Sequence, residues 1–327
     1  MTSASGRQAV QPAPDDWQPC SNRSLERDDP LAGTSGFGER WFLIEVDGSW
    51  GQHALLQSRL EPELARRLVR RIEGSRMRPL AIRRPGRRAD ERREQNTWRW
   101  ATVDARPGHE STRWGEVEHP EQLLEVPLDG SSGAASDAPI ICVCTHARHD
   151  RCCAVRGRPA LASLVEAFPE ETWECSHLGG DRFAATMMVF PHALHYGRVT
   201  ADAAVGIVDA YGRGEIDHRY FRGRASLPNV VQSACSFAAA AMRDDRVDAF
   251  TLLDSASADG VWTVRLHHHA PARADHAADA ASGPALVTVE LQESFSAPIL
   301  STCAATVPAR VREFTLSSVT TAADVQA

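Results

Sequence analysis

The chain of 327 residues carries a net charge of −7 and contains no lysine, while 43% of its residues are hydrophobic and 24% are charged. These values are typical of a globular protein of about two domains. The lack of lysine excludes a Schiff-base lysine and a phosphate-loop lysine, and the negative charge argues against a nucleic-acid partner.

The cellular compartment is indicated by what the sequence does not contain. No apolar run approaches the ~20 residues that span a bilayer, and the polar N-terminus has no apolar segment of the kind found in a signal peptide. We therefore expect a cytoplasmic protein with no membrane partner. In that compartment, clustered cysteines indicate metal or redox chemistry rather than disulfides.

The N-terminal part of the chain predicts a leader and a first folded unit. Residues 1–36 are polar and rich in Pro, Ser, Asp and Gly, and we expect a disordered leader there. Residues 37–128 predict a smaller α/β unit of β-α-β-β order, in which a strand starts at Trp41 and Pro62 opens a helix. The Gly/Ser-rich stretch after residue 128 predicts a linker.

The rest of the chain predicts a second α/β unit and an extension. Residues 138–212 indicate β-α-β-β-α order, with a first strand that ends at Cys144, a helix that begins at Gly157 with Pro159 in its first turn, and a second strand that ends at His177. Strands that alternate with helices favour a small mixed sheet. Residues 213–327 predict an α+β C-terminal extension of one Ala-rich helix and four strands.

Side chains that bind soft metals are concentrated in the second unit. Five of the eight cysteines and three of the thirteen histidines lie between residues 142 and 181. They fall in two turns, CTHARHDRCC from Cys144 and SHLGGD from Ser176, and each turn follows a predicted strand. Neighbouring strands would bring both turns to the same end of a sheet. Thiolates and imidazoles gathered in this way predict a metal or iron–sulfur site.

Some of these cysteines have an ordinary structural explanation. Cys142 lies inside an apolar strand, and we expect it to be a buried structural thiol. Cys144 enters a loop rich in Arg and His, where a thiolate is stabilised. Cys152 and Cys153 are adjacent and cannot easily both face one metal, so we expect one of them to take no part in the site.

The two turns resemble those of the sucrase/ferredoxin-like family. The resemblance rests on CTHARHDRCC and SHLGGDRFAA, with weaker support from Cys20-Ser, Trp50-Gly51 and Tyr196-Gly-Arg, and as judged from these residues it covers most of the chain. It implies that residues 138–212 form a thioredoxin-like ferredoxin domain that carries a [2Fe–2S] cluster.

The resemblance also implies a set of ligands. The family's Cys-x8-Cys pair falls on Cys144 and Cys153, which leaves Cys152 out of the site. The first residue of its His-x3-His pair falls on His177, but the second falls on Asp181. A carboxylate is a harder ligand than an imidazole or a thiolate, so this position departs from the pattern. The candidates for the fourth ligand are Asp181, Cys175, Cys152, His146 and His149.

The sequence therefore predicts an electron-transfer or redox protein whose [2Fe–2S] cluster has mixed Cys, His and Asp ligation. A zinc site on the same four residues, in a structural or interaction protein, is an alternative, and so is a redox-sensing binding module. The absence of a Cys-x-x-Cys pair argues against a thioredoxin-type oxidoreductase, and no pair of carboxylates supports glycoside hydrolysis. We expect electrons to come from a partner protein or a small reductant, because no nucleotide-binding glycine pattern is present. Enzymatic activity and oligomeric state are left open by the sequence.

Overall fold

The computed structural model describes residues 18–86, 97–269 and 285–322. Within these ranges the chain forms a ten-stranded mixed sheet, a separate four-stranded antiparallel sheet and five α-helices. The helices are α1 (Cys20–Glu26), α2 (Pro62–Gly74), α3 (Arg151–Ala167), α4 (Ala201–Gly212) and α5 (Asn229–Met242). The strands are β1 (Arg40–Glu45), β2 (Arg78–Arg83), β3 (Trp98–Asp104), β4 (Ser111–Val117), β5 (Ala134–Ser136), β6 (Ile140–Cys144), β7 (Thr172–Cys175), β8 (Met187–Phe190), β9 (Leu194–Tyr196), β10 (Phe221–Arg224), β11 (Phe250–Ala258), β12 (Val261–His268), β13 (Ala285–Phe295) and β14 (Arg312–Ala322). The predicted α/β class, with an α+β region at the C-terminal end, is confirmed.

The large sheet joins strands from both predicted α/β units. Its strand order is β10-β9-β8-β6-β7-β2-β1-β3-β4-β5. The pairs β1–β2 and β6–β7 are parallel, and the two halves meet where β2 pairs antiparallel with β7, with Ile82 opposite Cys175. Residues 37–128 and 138–212 thus share one continuous sheet, and the predicted domain boundaries stay a prediction.

The apolar run of β1 is buried on both faces of the sheet. Trp41 and Leu43 pack in the same core cluster as Cys144. Phe42 and Ile44 pack in a second cluster together with the buried side chains of α2. This alternation follows from the two-residue period of a strand. As a result, Cys144 at the end of β6 packs against the buried side chains of β1.

Helix α3 begins earlier than the sequence predicts. Its N-cap is Asp150, whose side chain accepts a hydrogen bond from the backbone N–H of Cys152 at 2.7 Å. Pro159, which the sequence predicts in the first turn, lies in the middle of the helix instead. The prediction is wrong because an aspartate is also a strong N-cap residue, and this cap places Cys152 and Cys153 in the first turn of the helix.

Part of the predicted leader is folded. Residues 20–26 form α1, and Cys20 is completely buried. Ser35 donates or accepts a hydrogen bond with the buried ring of His195, the two atoms being 3.0 Å apart. The structure therefore differs from the predicted disordered leader over residues 18–36, because these polar residues gain partners in distant parts of the chain. Residues 1–17 lie outside the described residues.

The C-terminal strands β11–β14 form the second sheet, and α5 packs against them. A segment of residues 296–311 connects β13 with β14, is held by an isolated bridge between Ile299 and Ala309, and carries Cys303. Residues 270–284 lie outside the described residues. None of the helices in the described ranges is both long and apolar enough to cross a membrane.

Candidate metal centre

The two cysteine- and histidine-bearing turns lie at the same edge of the large sheet. Strands β6 and β7 are parallel neighbours, and their final residues, Cys144 and Cys175, pair in register. The chain then turns into α3 after β6 and into the Gly179-Gly180 bend after β7. Parallel neighbours end at the same edge, so residues that are distant in the sequence converge there, as the sequence predicts.

Three of the predicted ligands come together directly. The ligand atoms of Cys144, Cys153 and His177 all lie within 4.8 Å of one another. Both thiols are buried. Gly157 lies one helical turn after Cys153, and a Cβ there would overlap the carbonyl oxygen of Cys144. The absence of a side chain at Gly157 thus lets α3 approach the end of β6 closely enough for the two thiols to meet.

Asp181, the fourth predicted residue, adjoins this group. Its Oδ1 lies 3.0 Å from Nδ1 of His177 and accepts a hydrogen bond from the Cys153 thiol at 3.2 Å. Nδ1 of His177 is buried, yet it makes no hydrogen bond of good geometry. A buried imidazole nitrogen left in this way, beside two thiols and a carboxylate, is a ready ligand for a metal.

The two histidine candidates for the fourth ligand, His149 and His146, have different neighbours. The ring of His149 stacks on that of His177 at 3.7 Å, and its Nε2 lies 3.8 Å from Oδ2 of Asp181. Nε2 of His146 instead lies 2.6 Å from the carbonyl oxygen of Gly51. His149 therefore belongs to the same group of donors, whereas His146 has a backbone partner outside it.

The two cysteine candidates for the fourth ligand, Cys175 and Cys152, lie outside the group of Cys144, Cys153 and His177. Cys175 is buried in the hydrophobic core beside Cys142. Cys152 forms a separate group with Cys20, Cys303 and Asp150. Cys152 therefore lies outside the group of Cys144, Cys153 and His177 and belongs to a second cluster. The sequence gives no signal for that cluster, because its members are far apart along the chain.

The electrostatics of the first group favour a thiolate. The pKa of Cys144 is held well below its usual value, because its sulfur is hydrogen-bonded with Cys153 and lies near His177, and these effects outweigh burial. The pKa of Cys153 is raised by the same contact and by burial. Cys144 is thus the more acidic of the two thiols, and a bound cation would favour its thiolate.

His177 and Asp181 also shift each other's pKa values. Burial lowers the pKa of His177, but Asp181 and Cys144 outweigh it and raise that pKa to about 9. Burial raises the pKa of Asp181, but His177 outweighs it and the pKa is lowered. The group therefore pairs two anions, the Cys144 thiolate and the Asp181 carboxylate, with the His177 imidazolium, and a metal cation would take the place of the imidazolium proton.

A buried arginine holds the bend between His177 and Asp181. Arg222 is almost completely buried, and its Nη1 donates hydrogen bonds to the carbonyl of Gly179 at 2.7 Å and towards Nε2 of His195 at 2.8 Å. Gly180 has a φ of +82°, and a Cβ there would overlap the guanidinium of Arg222. Sequence reasoning missed Arg222, which lies well beyond the bend in the chain.

The fold and this geometry define an α/β protein with groups of Cys, His and Asp side chains suited to bind metal at the edge of its sheet. A sequence profile of the sucrase/ferredoxin-like family matches residues 31–223, which is more than half of the chain. The chain belongs to that family. The match starts after Cys20, so the Cys20-Ser stretch lies outside it.

Solved structures also show similarity to part of the chain. A thioredoxin-like [2Fe–2S] ferredoxin from Aquifex aeolicus is 17% identical, with a TM-score of 0.25, and the match covers 28% of this chain and 97% of that ferredoxin. A cysteine-to-serine variant of the thioredoxin-like ferredoxin from the same organism is 16% identical, with a TM-score of 0.23 and coverages of 25% and 96%. No match was found among curated protein sequences.

Proposed function

We propose that the chain is an iron–sulfur redox protein that carries electrons through a [2Fe–2S] cluster held by Cys144, Cys153, His177 and Asp181. The observation that carries this proposal is the convergence of two thiols, an imidazole and a carboxylate at the ends of two parallel strands. Membership of a family with ferredoxin-like members is consistent with it.

The donors fit the chemistry of such a cluster. A [2Fe–2S] cluster takes four protein ligands, and when bound it supplies reversible one-electron transfer. Here two cysteines come from the β6–α3 turn, while His177 and Asp181 come from the bend after β7. Nδ1 of His177 faces Oδ1 of Asp181 at 3.0 Å without a hydrogen bond of good geometry, and after loss of its proton it would be available to a metal. Because neutral imidazole replaces a thiolate, we expect a potential above the ~−400 mV of all-thiolate plant ferredoxins.

The surroundings of the site define an inner side and an outer side. On the inner side, Cys144 and Cys153 belong to the buried core that contains Trp41 and Trp173. On the outer side, the His177 and His149 side chains are 24% and 29% exposed. We infer that electrons enter and leave across this histidine edge. The donor would be a partner protein or a small reductant, in keeping with a cytoplasmic protein whose eight cysteines are all unpaired.

Zinc is the second candidate for the same donors. Two cysteines, a histidine and an aspartate form a legitimate tetrahedral set, and the close spacing of Cys144, Cys153 and His177 suits a single ion. In that case the site would be structural, and the protein would be colourless.

Anaerobically purified full-length protein distinguishes the two candidates. We expect two iron and two labile sulfide per chain, a visible absorption spectrum and an electron paramagnetic resonance signal after reduction. Pulsed electron paramagnetic resonance should show the magnetic coupling of a ligating nitrogen to the cluster. In His177→Cys this nitrogen coupling should disappear, and the reduction potential should fall by on the order of 100 mV. His109→Cys, at an exposed loop histidine, is the matched control and should change neither. Zinc bound in place of iron, with no sulfide, would overturn the proposal.

A further inference from the structure

A second group of metal-binding side chains lies on the other side of the first turn of α3. It contains Cys20, Cys152, Cys303 and Asp150. The Cys152 sulfur lies 3.6 Å from that of Cys20 and 3.2 Å from that of Cys303, and the sulfurs of Cys303 and Cys20 are 3.5 Å apart. Three thiols from the N-terminal, central and C-terminal parts of the chain thus form a compact triangle.

The carboxylate of Asp150 is the fourth donor of this group. Its Oδ2 lies 3.9 Å from the Cys20 sulfur. Zinc–sulfur bonds of about 2.3 Å in a tetrahedron place the sulfurs about 3.8 Å apart, which is close to the separations found here. None of these separations approaches the ~2.05 Å of a disulfide bond. The spacing fits one ion at the centre of the four side chains.

The donors are held in place by contacts from their own surroundings. Asp150 accepts hydrogen bonds of 2.7 Å from the backbone N–H groups of Cys152 and Cys303, one on each carboxylate oxygen. Ser21 donates its hydroxyl to the Cys152 sulfur at 3.4 Å, and the N–H of Cys20 points at the Cys303 sulfur at 3.5 Å. Hydrogen bonds of this kind orient metal ligands and stabilise thiolates.

We propose that Cys20, Cys152, Cys303 and Asp150 bind a single zinc ion at a site separate from the proposed iron–sulfur site. Three thiolates and one carboxylate are a soft, tetrahedral set that suits zinc better than magnesium or calcium. Four filled positions leave no place for a substrate, so the ion is structural. Binding releases the thiol protons to solvent as the zinc–sulfur bonds form.

The ion would fasten three distant segments to one another. Cys20 begins α1, Cys152 lies in the first turn of α3, and Cys303 lies in the segment between β13 and β14. Joining them closes loops of well over a hundred residues and fixes both ends of the described chain beside the start of α3. The same helical turn carries Cys153, so the zinc would also support the neighbouring redox site.

X-ray absorption at the zinc edge of the full-length, wild-type protein tests the site without any mutation. We expect three sulfur ligands at about 2.3 Å and one oxygen at about 2.0–2.2 Å. Zinc misplaced in the other site would instead show two sulfurs with two lighter ligands. That result, or the absence of zinc from protein produced and reconstituted with zinc, would overturn the proposal.

Zinc analysis of matched variants assigns the ligands. Cys20→Ser and Cys303→Ser should each reduce bound zinc at least tenfold, whereas Cys235→Ser, at a cysteine in the separate core around α5, should retain one zinc per chain. Circular dichroism shows whether each variant is folded. Zinc retained in both folded ligand variants, or a disulfide between two of the three cysteines in intact-mass analysis, would contradict the site. Iron and sulfide, measured on the same samples, report separately on the proposed [2Fe–2S] cluster.

Discussion

The proposed redox site, here called the redox cluster (Cys144, Cys153, His177 and Asp181), and the three-cysteine cluster (Cys20, Cys152, Cys303 and Asp150) differ in how the chain assembles them. The redox cluster draws its donors from two turns that follow adjacent strands. The three-cysteine cluster draws its donors from both ends and the middle of the described chain. Short-range spacing therefore reveals the first cluster, and only the fold reveals the second.

The two clusters are separated by a single peptide unit of α3, the one between Cys152 and Cys153. Cys152 and Cys153 are adjacent in the first turn of α3, where successive side chains leave the helix about 100° apart. Each therefore faces a different cluster. The family match covers all four donors of the redox cluster but excludes Cys20 and Cys303. We infer that the redox cluster belongs to the matched family region and that the three-cysteine cluster depends on segments outside it.

The largest expected effect is on metal content, and it should differ between two cysteines of β6. Cys144→Ala should abolish iron binding, because the mutation removes a thiolate ligand, while bound zinc should stay at one per chain. Cys142→Ala, a matched substitution two residues earlier in β6 at an equally buried position, should leave both metals in place. Iron and zinc analysis of the purified variants checks this. Loss of both metals from folded Cys144→Ala protein would show that the two clusters are not independent.

A second prediction concerns the carboxylate of the redox cluster. Asp181→His should retain the cluster and raise its reduction potential by on the order of 100 mV, because a neutral imidazole replaces an anionic ligand. Asp209→His, the same substitution on an exposed position of α4, is the control and should have no effect. Protein-film voltammetry measures the potential. An unchanged potential, together with loss of iron in His149→Ala, would assign the fourth ligand to His149 instead.

A smaller effect is expected from the packing that brings α3 to β6. Gly157→Ala should lower the free energy of unfolding by about 1–3 kcal/mol, because the new methyl group meets the carbonyl of Cys144. Iron occupancy should fall with it. Gly206→Ala adds the same methyl group to an exposed position of α4 with open space around it, and should stabilise by about 0.5–1 kcal/mol. Urea unfolding measures both. Equal effects at the two positions would contradict the close approach of α3.

The smallest predicted effect is local opening after zinc removal. Chelation should speed hydrogen exchange about tenfold in α1 and in residues 296–311, since both segments lose their link to α3. Strands β6 and β8, which lie in the interior of the large sheet, should exchange at an unchanged rate. Hydrogen exchange read by mass spectrometry checks this, and uniform acceleration along the chain would indicate global unfolding instead.

Sequence reasoning succeeded where the signal was local. The apolar run from Trp41 predicts a strand and Pro62 predicts a helix start, and the structure contains both, because each signal lies within the element itself. The start of α3 is predicted too late, because the sequence analysis follows the first-turn proline Pro159, whereas the helix begins after its Asp150 cap.

The second cluster shows why the rest could not be predicted. Cys152 is separated from Cys20 by 132 residues and from Cys303 by 151. No spacing rule connects cysteines over such distances, and one of them lies in a stretch whose composition predicts disorder. Their meeting depends on where α1 and the β13–β14 segment pack, and this is a property of the whole fold.

The adjacent pair on α3 gives the most direct test of the account. Iron, sulfide and zinc should be measured in Cys152→Ser and Cys153→Ser protein, each purified anaerobically and shown to be folded. We predict that Cys153→Ser loses iron and sulfide but keeps zinc, and that Cys152→Ser loses zinc but keeps iron and sulfide. Loss of the same metal from both variants would contradict the assignment of one metal site to each side of this peptide unit.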